Sequence, residues 1–137
     1  MAALKQKGDL AELMVAADLR RRGYKIALPY GEDWDYDLII ERDGRLERIQ
    51  VKHTVSTGSV VHVKCCSHSL TNGRVRATKR YTADTVDWIA VWDASTATTY
   101  YVPSSVFDGF SMLHLRTAPT RNNQSRKIRN AADFLEI

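Results

Sequence analysis

Residues 36–54, YDLIIERDGRLERIQVKHT, decide how this chain folds. Two apolar-rich runs, Tyr36–Arg42 and Leu46–Thr54, flank Asp43-Gly44, a dipeptide that favours a two-residue turn of left-handed backbone. The spacing predicts a β-hairpin in which Arg42 pairs with Arg45. Asp37 then falls directly opposite Gln50, and Lys52, two residues on, projects to the same face. The hairpin alone therefore gathers a carboxylate, an amide and an ammonium into a patch the size of one phosphate. A slip of one residue in the register would scatter them.

Working outward, residues 6–22 (QKGDLAELMVAADLRRR) are rich in Ala and Leu, lack Pro and end in three arginines before Gly23. That pattern predicts a helix whose last turn is complemented by positive charge, with Gly23 as its left-handed stop. Gly8, Ala11, Val15, Ala16 and Leu19 fall at the spacing of a buried stripe, and Glu12 lies within it. A carboxylate there needs a lysine or a metal ion as partner. The competing stripe is Leu10, Leu13, Met14 and Ala17, which would leave Glu12 in water.

Downstream, Tyr24–Leu28 reads as a short strand stopped by Pro29, and Ser59–Cys66 as another, returning through Asn72-Gly73 to Arg74–Thr78. Val86–Trp92 and Thr99–Val102 read as two paired strands, with Val86, Trp88, Ala90 and Trp92 on one buried face. Asn130 and Asp133 resemble a capping box opening a final helix, Ala131–Glu136. One helix, then mostly strands, then a small helix is an α+β or mixed α/β order. At 137 residues the chain has the length of a single domain, 1–137.

Composition narrows the class of function. With 44% hydrophobic and 26% charged residues, 7 Gly and 3 Pro, the chain is neither disordered nor fibrous. No apolar run approaches the roughly 20 residues that cross a bilayer, and MAALKQKGDL is no signal peptide, so no membrane partner and a cytoplasmic location are expected. Cys65 and Cys66 are adjacent, too close for an ordinary disulfide, which fits a reducing compartment. Residues 1–55 carry ten charges of each sign, so the net +4 resides entirely in residues 56–137. All its basic residues but Lys64 form two groups: Arg74, Arg76, Lys79 and Arg80, then Arg116, Arg121, Arg126, Lys127 and Arg129 with no acid among them. Such blocks suit a polyanion as well as a solvated surface.

Three other constellations carry less. His62, Cys65, Cys66 and His68 lack a CxxC pair, and on one strand Cys65 points away from the rest, against a zinc site. Asp33, Asp35 and Asp37 would share a face only if their strand began early. His53 faces away from Lys52.

Lys7-Gly8 with Glu12 on the first helix, Tyr36-Asp37-Leu38-Ile39-Ile40, and Ile49-Gln50-Val51-Lys52 together resemble the PD-(D/E)XK nuclease core. The likeness is greatest to its group I intron homing-endonuclease branch, where glutamine replaces the second acid. Tyr81 through Trp92, Tyr100-Tyr101-Val102-Pro103 and Asn122-Asn123-Gln124 extend it over roughly residues 5–136. Tyr36 stands where the motif's proline would be, and Gln50 lacks the second acid's charge.

The resemblance implies a restriction-endonuclease-like core, a mixed β-sheet flanked by helices, and a prokaryotic or phage setting. It implies a metal-dependent endonuclease acting on double-stranded DNA, with Glu12, Asp37, Gln50 and Lys52 as catalytic residues. Mg²⁺, with Mn²⁺ as a possible substitute, would be held by Asp37, Glu12, the Val51 backbone carbonyl and Gln50, all oxygen donors. The ion would polarise the scissile phosphate and Lys52 would stabilise charge developing on it. Arg74, Arg76, Lys79, Arg80, Arg121, Arg126, Lys127 and Arg129 would contact DNA. One small domain cuts one strand per site, so a double-strand cutter implies a homodimer or homotetramer. A structure-selective Holliday junction resolvase would share fold and site, and a binding module with a decayed site is the alternative that Gln50 suggests.

Overall fold

The computed structural model describes residues 2–71, 74–119 and 128–137. Helix α1 spans Ala2–Arg21. It stops as its sequence predicts: Gly23 has φ +91°, its N–H donates to the Arg20 carbonyl, and the Tyr24 N–H donates to that of Leu19. These are the two bonds of a Schellman stop, open to a residue at ease in the left-handed region. Ala11, Val15 and Leu19 are fully buried while Leu10 and Leu13 are 45% and 67% exposed. The stripe that contains Glu12 thus faces the protein.

The chain continues as β1 (Lys25–Ala27), β2 (Leu38–Arg42) and β3 (Arg45–Thr54). Asp43 and Gly44 both have positive φ, 51° and 78°, as a two-residue hairpin turn demands. The register is the expected one, Arg42 opposite Arg45 and Leu38 opposite Ile49. β3 outlasts β2, and the residues from Ile49 to Thr54 pair in parallel with β7 (Trp88–Asp93), which pairs antiparallel with β8 (Thr98–Pro103). The result is a mixed five-stranded sheet in the order β1-β2-β3-β7-β8. The Arg48 guanidinium and backbone N–H both bond the Asp87 carboxylate, which locks β3 beside the entry to β7.

One face of this sheet receives α1: Ala11, Val15 and Leu19 pack among Leu38, Ile40, Ile49, Val51, Ala90, Trp92 and Tyr101. Tyr101 donates to Asp18 of α1 at 2.5 Å, and Arg22, just past the helix, bonds Glu136 and the Leu135 carbonyl. The other face packs on a three-stranded sheet, β10-β9-β4, made of β4 (Val60–Lys64), β9 (Met112–Arg116) and β10 (Arg129–Asn130). Ile89, Val91, Tyr100 and Val102 meet Val61, Val63, Leu113 and Leu115 there. β7 is therefore buried on both sides, which explains its unbroken apolar sequence.

Three strand assignments differ from expectation. β4 ends at Lys64 and pairs with β9, not with the strand after residues 72–73. The chain crosses at Cys65 into a separate two-stranded ribbon, β5 (Cys66–Thr71) and β6 (Arg74–Arg80). β9 was not expected at all, although its alternation of exposed Met112 and His114 with buried Leu113 and Leu115 is a strand signal. Val86 precedes β7 and packs in the core opposite to that of Ala90 and Trp92, because the strand begins only at Trp88. A four-residue helix, α2 (Ser104–Phe107), follows β8. The final helix is shorter than expected, a 3-10 turn over Ala131–Phe134, and Asn130 makes no side-chain capping bond there. Among the described residues no helix is long and apolar enough to cross a membrane.

Candidate active site

Asp37 stands one residue before β2 and is fixed at both ends. Its N–H donates to the Ile49 carbonyl at 2.8 Å, and its carboxylate accepts from the Val51 N–H at 2.9 Å. A strand residue presents its N–H and C=O on the same side. The Val51 carbonyl therefore faces the same side as Asp37, beyond the point where β2 could occupy it.

Glu12 comes to this corner from α1. Burial first, and the negative charge of Asp37 second, push its carboxyl up to about 7. Two carboxylates that destabilise each other's charge share a proton or take a cation between them. The sequence left two faces of the helix open for the core; the structure buries the one with Glu12 and adds that Asp37 is its neighbour. Beside the pair lies a cleft of about 280 Å³ lined by Glu12, Pro29, Glu32, Trp34, Tyr36 and Asp37 among others.

Gln50 is buried, and its side-chain amide donates to the Asp35 carbonyl at 2.7 Å. That bond turns the amide nitrogen toward the 28–36 loop and leaves the side-chain oxygen as the free end. Asp35 is also held by its carboxylate, which pairs with Lys79 at 2.7 Å. Asp33 sits in the left-handed region at φ 66°, ahead of β2, so the three aspartates do not form one strand face.

Lys52 extends from the face opposite α1 toward the ribbon. Its ammonium donates to Tyr81 Oη at 3.1 Å and to the Cys66 carbonyl at 3.3 Å, and lies 4.9 Å from the Tyr81 ring centroid. Burial, then the charge of Lys64, lower its pKa, while Asp37 opposes them. His53 does turn the other way, with its ring edge-on to Trp92 at 5.7 Å. Tyr81 and the Cys66 carbonyl were not foreseen at the site, and Asp35, raised only within the aspartate run, enters through its backbone carbonyl and through Lys79.

Among the described residues no three His, Cys, Asp or Glu side chains converge as a metal-binding group. His62 faces His114 across the second sheet, Cys65 is buried, and Cys66 Sγ lies 3.9 Å from His68 Nε2. At the hairpin the available set is two carboxylates, an amide oxygen and a backbone carbonyl, all hard donors that fit Mg²⁺ or Mn²⁺.

The basic residues divide. Lys79 is engaged by Asp35, Arg80 donates to the Gly109 carbonyl, and Arg129 lies over the Phe110 ring. The backbone of Arg74 and Arg76 is on β6. Arg121, Arg126 and Lys127 lie outside the described residues, as does Asn122-Asn123-Gln124.

A mixed sheet with a helix on one face carries Asp37 just before β2 and Lys52 on β3. The PD-(D/E)XK endonuclease family profile matches residues 2–137, and the chain belongs to that family. The family implies DNA as substrate and divalent cations as the usual cofactors. Among solved structures it is similar to a bacterial homing endonuclease, I-Ssp6803I, at 26% identity and a TM-score of 0.74. The match covers 90% of this chain and 84% of that one. No curated protein matches the chain in sequence. The α+β, restriction-endonuclease-like fold expected from the sequence is thereby borne out.

Proposed function

We propose that this protein is a Mg²⁺-dependent DNA endonuclease of homing type, cutting both strands of a specific site as a homodimer or homotetramer. The observation that carries this reading is the Asp37–Glu12 carboxylate pair beside the Val51 carbonyl, with Lys52 on the same strand. The likeness to a homing endonuclease at 26% identity supports the narrower part. Asp37, Glu12, the Val51 carbonyl and the free oxygen of Gln50 would hold the cation. When bound, the ion supplies Lewis-acid polarisation of the scissile phosphate and a more acidic water.

The chain's own residues do the rest. Asp37 keeps its place because the Val51 N–H donates to its carboxylate. Glu12, with its raised pKa, is poised to give up a proton when positive charge arrives. Lys52 carries an ammonium that no carboxylate neutralises directly, so its charge is available to a phosphate whose negative charge grows in the transition state. The arginines of the ribbon and the C-terminal block would fix the duplex by its phosphates.

Digestion of a randomised double-stranded DNA library with Mg²⁺ tests the reading. Recurrent cuts at one sequence support it, and cutting of four-way junctions regardless of sequence would replace it with a junction resolvase. A binding module with a decayed site is the alternative that the uncharged side chain of Gln50 favours. Such a module would bind DNA equally with EDTA or Mg²⁺ and leave every member of the library intact.

A further inference from the structure

The ribbon β5–β6 is closed at its root by a bond from the Tyr81 N–H to the Cys65 carbonyl, 3.0 Å. Tyr81, the residue after β6, is only 4% exposed. It therefore belongs to the body of the protein while its neighbour Arg80 belongs to the ribbon. Burial pushes the Tyr81 hydroxyl up to about 12, so it stays a neutral phenol with an oxygen free to accept. That oxygen is where the Lys52 ammonium rests, with the ring beneath it and the Cys66 carbonyl as second acceptor.

A lysine side chain has four rotatable bonds, and its ammonium is ordinarily placed by water or a carboxylate. A carboxylate at 3 Å would fix it but would also cancel its charge. A phenol oxygen, a peptide carbonyl and an aromatic face fix it by dipole and quadrupole alone. Two of three ammonium protons are used, which leaves one to point at a substrate. No hydrogen bond or ion pair joins Lys52 to Asp35, Asp37 or Glu12.

We infer that Tyr81 is a positioning residue for Lys52: its hydroxyl and ring, at the root of the ribbon, hold the ammonium in place without neutralising it. This rests on the reading of Lys52 as the residue that meets the phosphate. Tyr81, at the root of the ribbon, thereby holds Lys52, while Lys79 of the ribbon itself pairs with Asp35.

The test is Tyr81→Phe, which keeps the ring and the core packing and removes the acceptor. Wild type and variant are compared by single-turnover cleavage of the library-selected duplex with Mg²⁺, by duplex affinity in EDTA and by thermal melting. The variant is expected to cut about tenfold more slowly, the scale of one charge-assisted hydrogen bond, with affinity within about twofold. In a Lys52→Arg background the same change is expected to cost less than about twofold, because the guanidinium cannot seat on the same oxygen. A Tyr81→Phe enzyme that cuts within twofold of wild type overturns the inference, as does an equal loss in both backgrounds. Those results leave the nuclease reading standing. A wild-type protein that leaves the duplex library intact with both Mg²⁺ and Mn²⁺ overturns the nuclease reading and this inference with it.

Discussion

The carboxylate of Asp37 accepts a hydrogen bond from the backbone N–H of Val51, 2.9 Å away across the end of the hairpin. Asp37 thus acts as if β2 were one residue longer, capping the strand that carries both Gln50 and Lys52. A side chain that completes the sheet cannot drift from it. The relationship ties the position of the acid to that of the lysine through a single strand.

Removing either member of that pair is expected to abolish cleavage while sparing binding. Lys52→Ala and Asp37→Ala should each lower the single-turnover rate by about 10²-fold or more, the usual loss of a transition-state charge stabiliser. Their affinities for the duplex should stay within a few-fold by electrophoretic shift in EDTA. A variant cutting at near wild-type rate would mean that the hairpin is not the site.

Gln50→Glu is nearly isosteric, yet it turns a donor to the Asp35 carbonyl into a second oxygen facing it. Without metal the variant should be less stable than wild type by about 1–2 kcal/mol, the cost of one buried bond lost and left unsatisfied. Added Mg²⁺ or Mn²⁺ should restore more to the variant, since a carboxylate binds a hard cation better than an amide. Thermal melts of both proteins across a metal titration give the answer. Identical metal-induced shifts would place Gln50 outside the metal shell.

Binding should weaken steeply with salt because the excess positive charge is confined to residues 56–137. Each lost phosphate contact reduces the slope of log K against log salt by about 0.9, so neutralising Arg121, Arg126 and Lys127 together should flatten it by up to about 2.7. Titrations at four salt concentrations suffice. An unchanged slope would mean that this block faces away from the duplex.

Asp93, at the end of β7, is fully buried and accepts bonds from Ser56 N–H, Ser95 N–H, Ser95 Oγ and Thr96 Oγ1. Burial alone would raise its pKa, but the bonds from Ser95 and Ser56 outweigh it and hold the carboxyl at about 2. The folded-state pKa lies below the ordinary 3.8, so this stability is present above that value and lost as pH falls through it toward 2. Asp93→Asn should therefore cost about 2 kcal/mol at pH 7 by urea unfolding, with the gap closing between about pH 4 and pH 2. A gap that is constant over that range would assign the effect to packing.

What the sequence made legible was local. The hairpin register could be read because Asp43-Gly44 admits one turn geometry, and it sets Leu38 opposite Ile49, the chain neighbours of Asp37 and Gln50. The helix stop could be read because Gly23 follows three arginines. The pairing of β4 with β9 spans some fifty residues and leaves no local mark, so β4 was joined to the wrong partner. The roles of Tyr81 and of the Asp35 carbonyl were missed for the same reason: they exist only where the ribbon root and the 28–36 loop meet the hairpin. The Asn130 capping pattern failed because a single 3-10 turn follows it, with no call on a side-chain cap.

The bonds from Arg22 to Glu136 and to the Leu135 carbonyl join positions more than a hundred residues apart. α1 also needs Tyr101, on β8, to meet its Asp18. The helix is thus held at its C-terminal end by residues from two distant parts of the chain, while its buried face rests on β2, β3, β7 and β8. Glu12 rides on that helix, so its place beside Asp37 depends on contacts made as far away as residues 135 and 136.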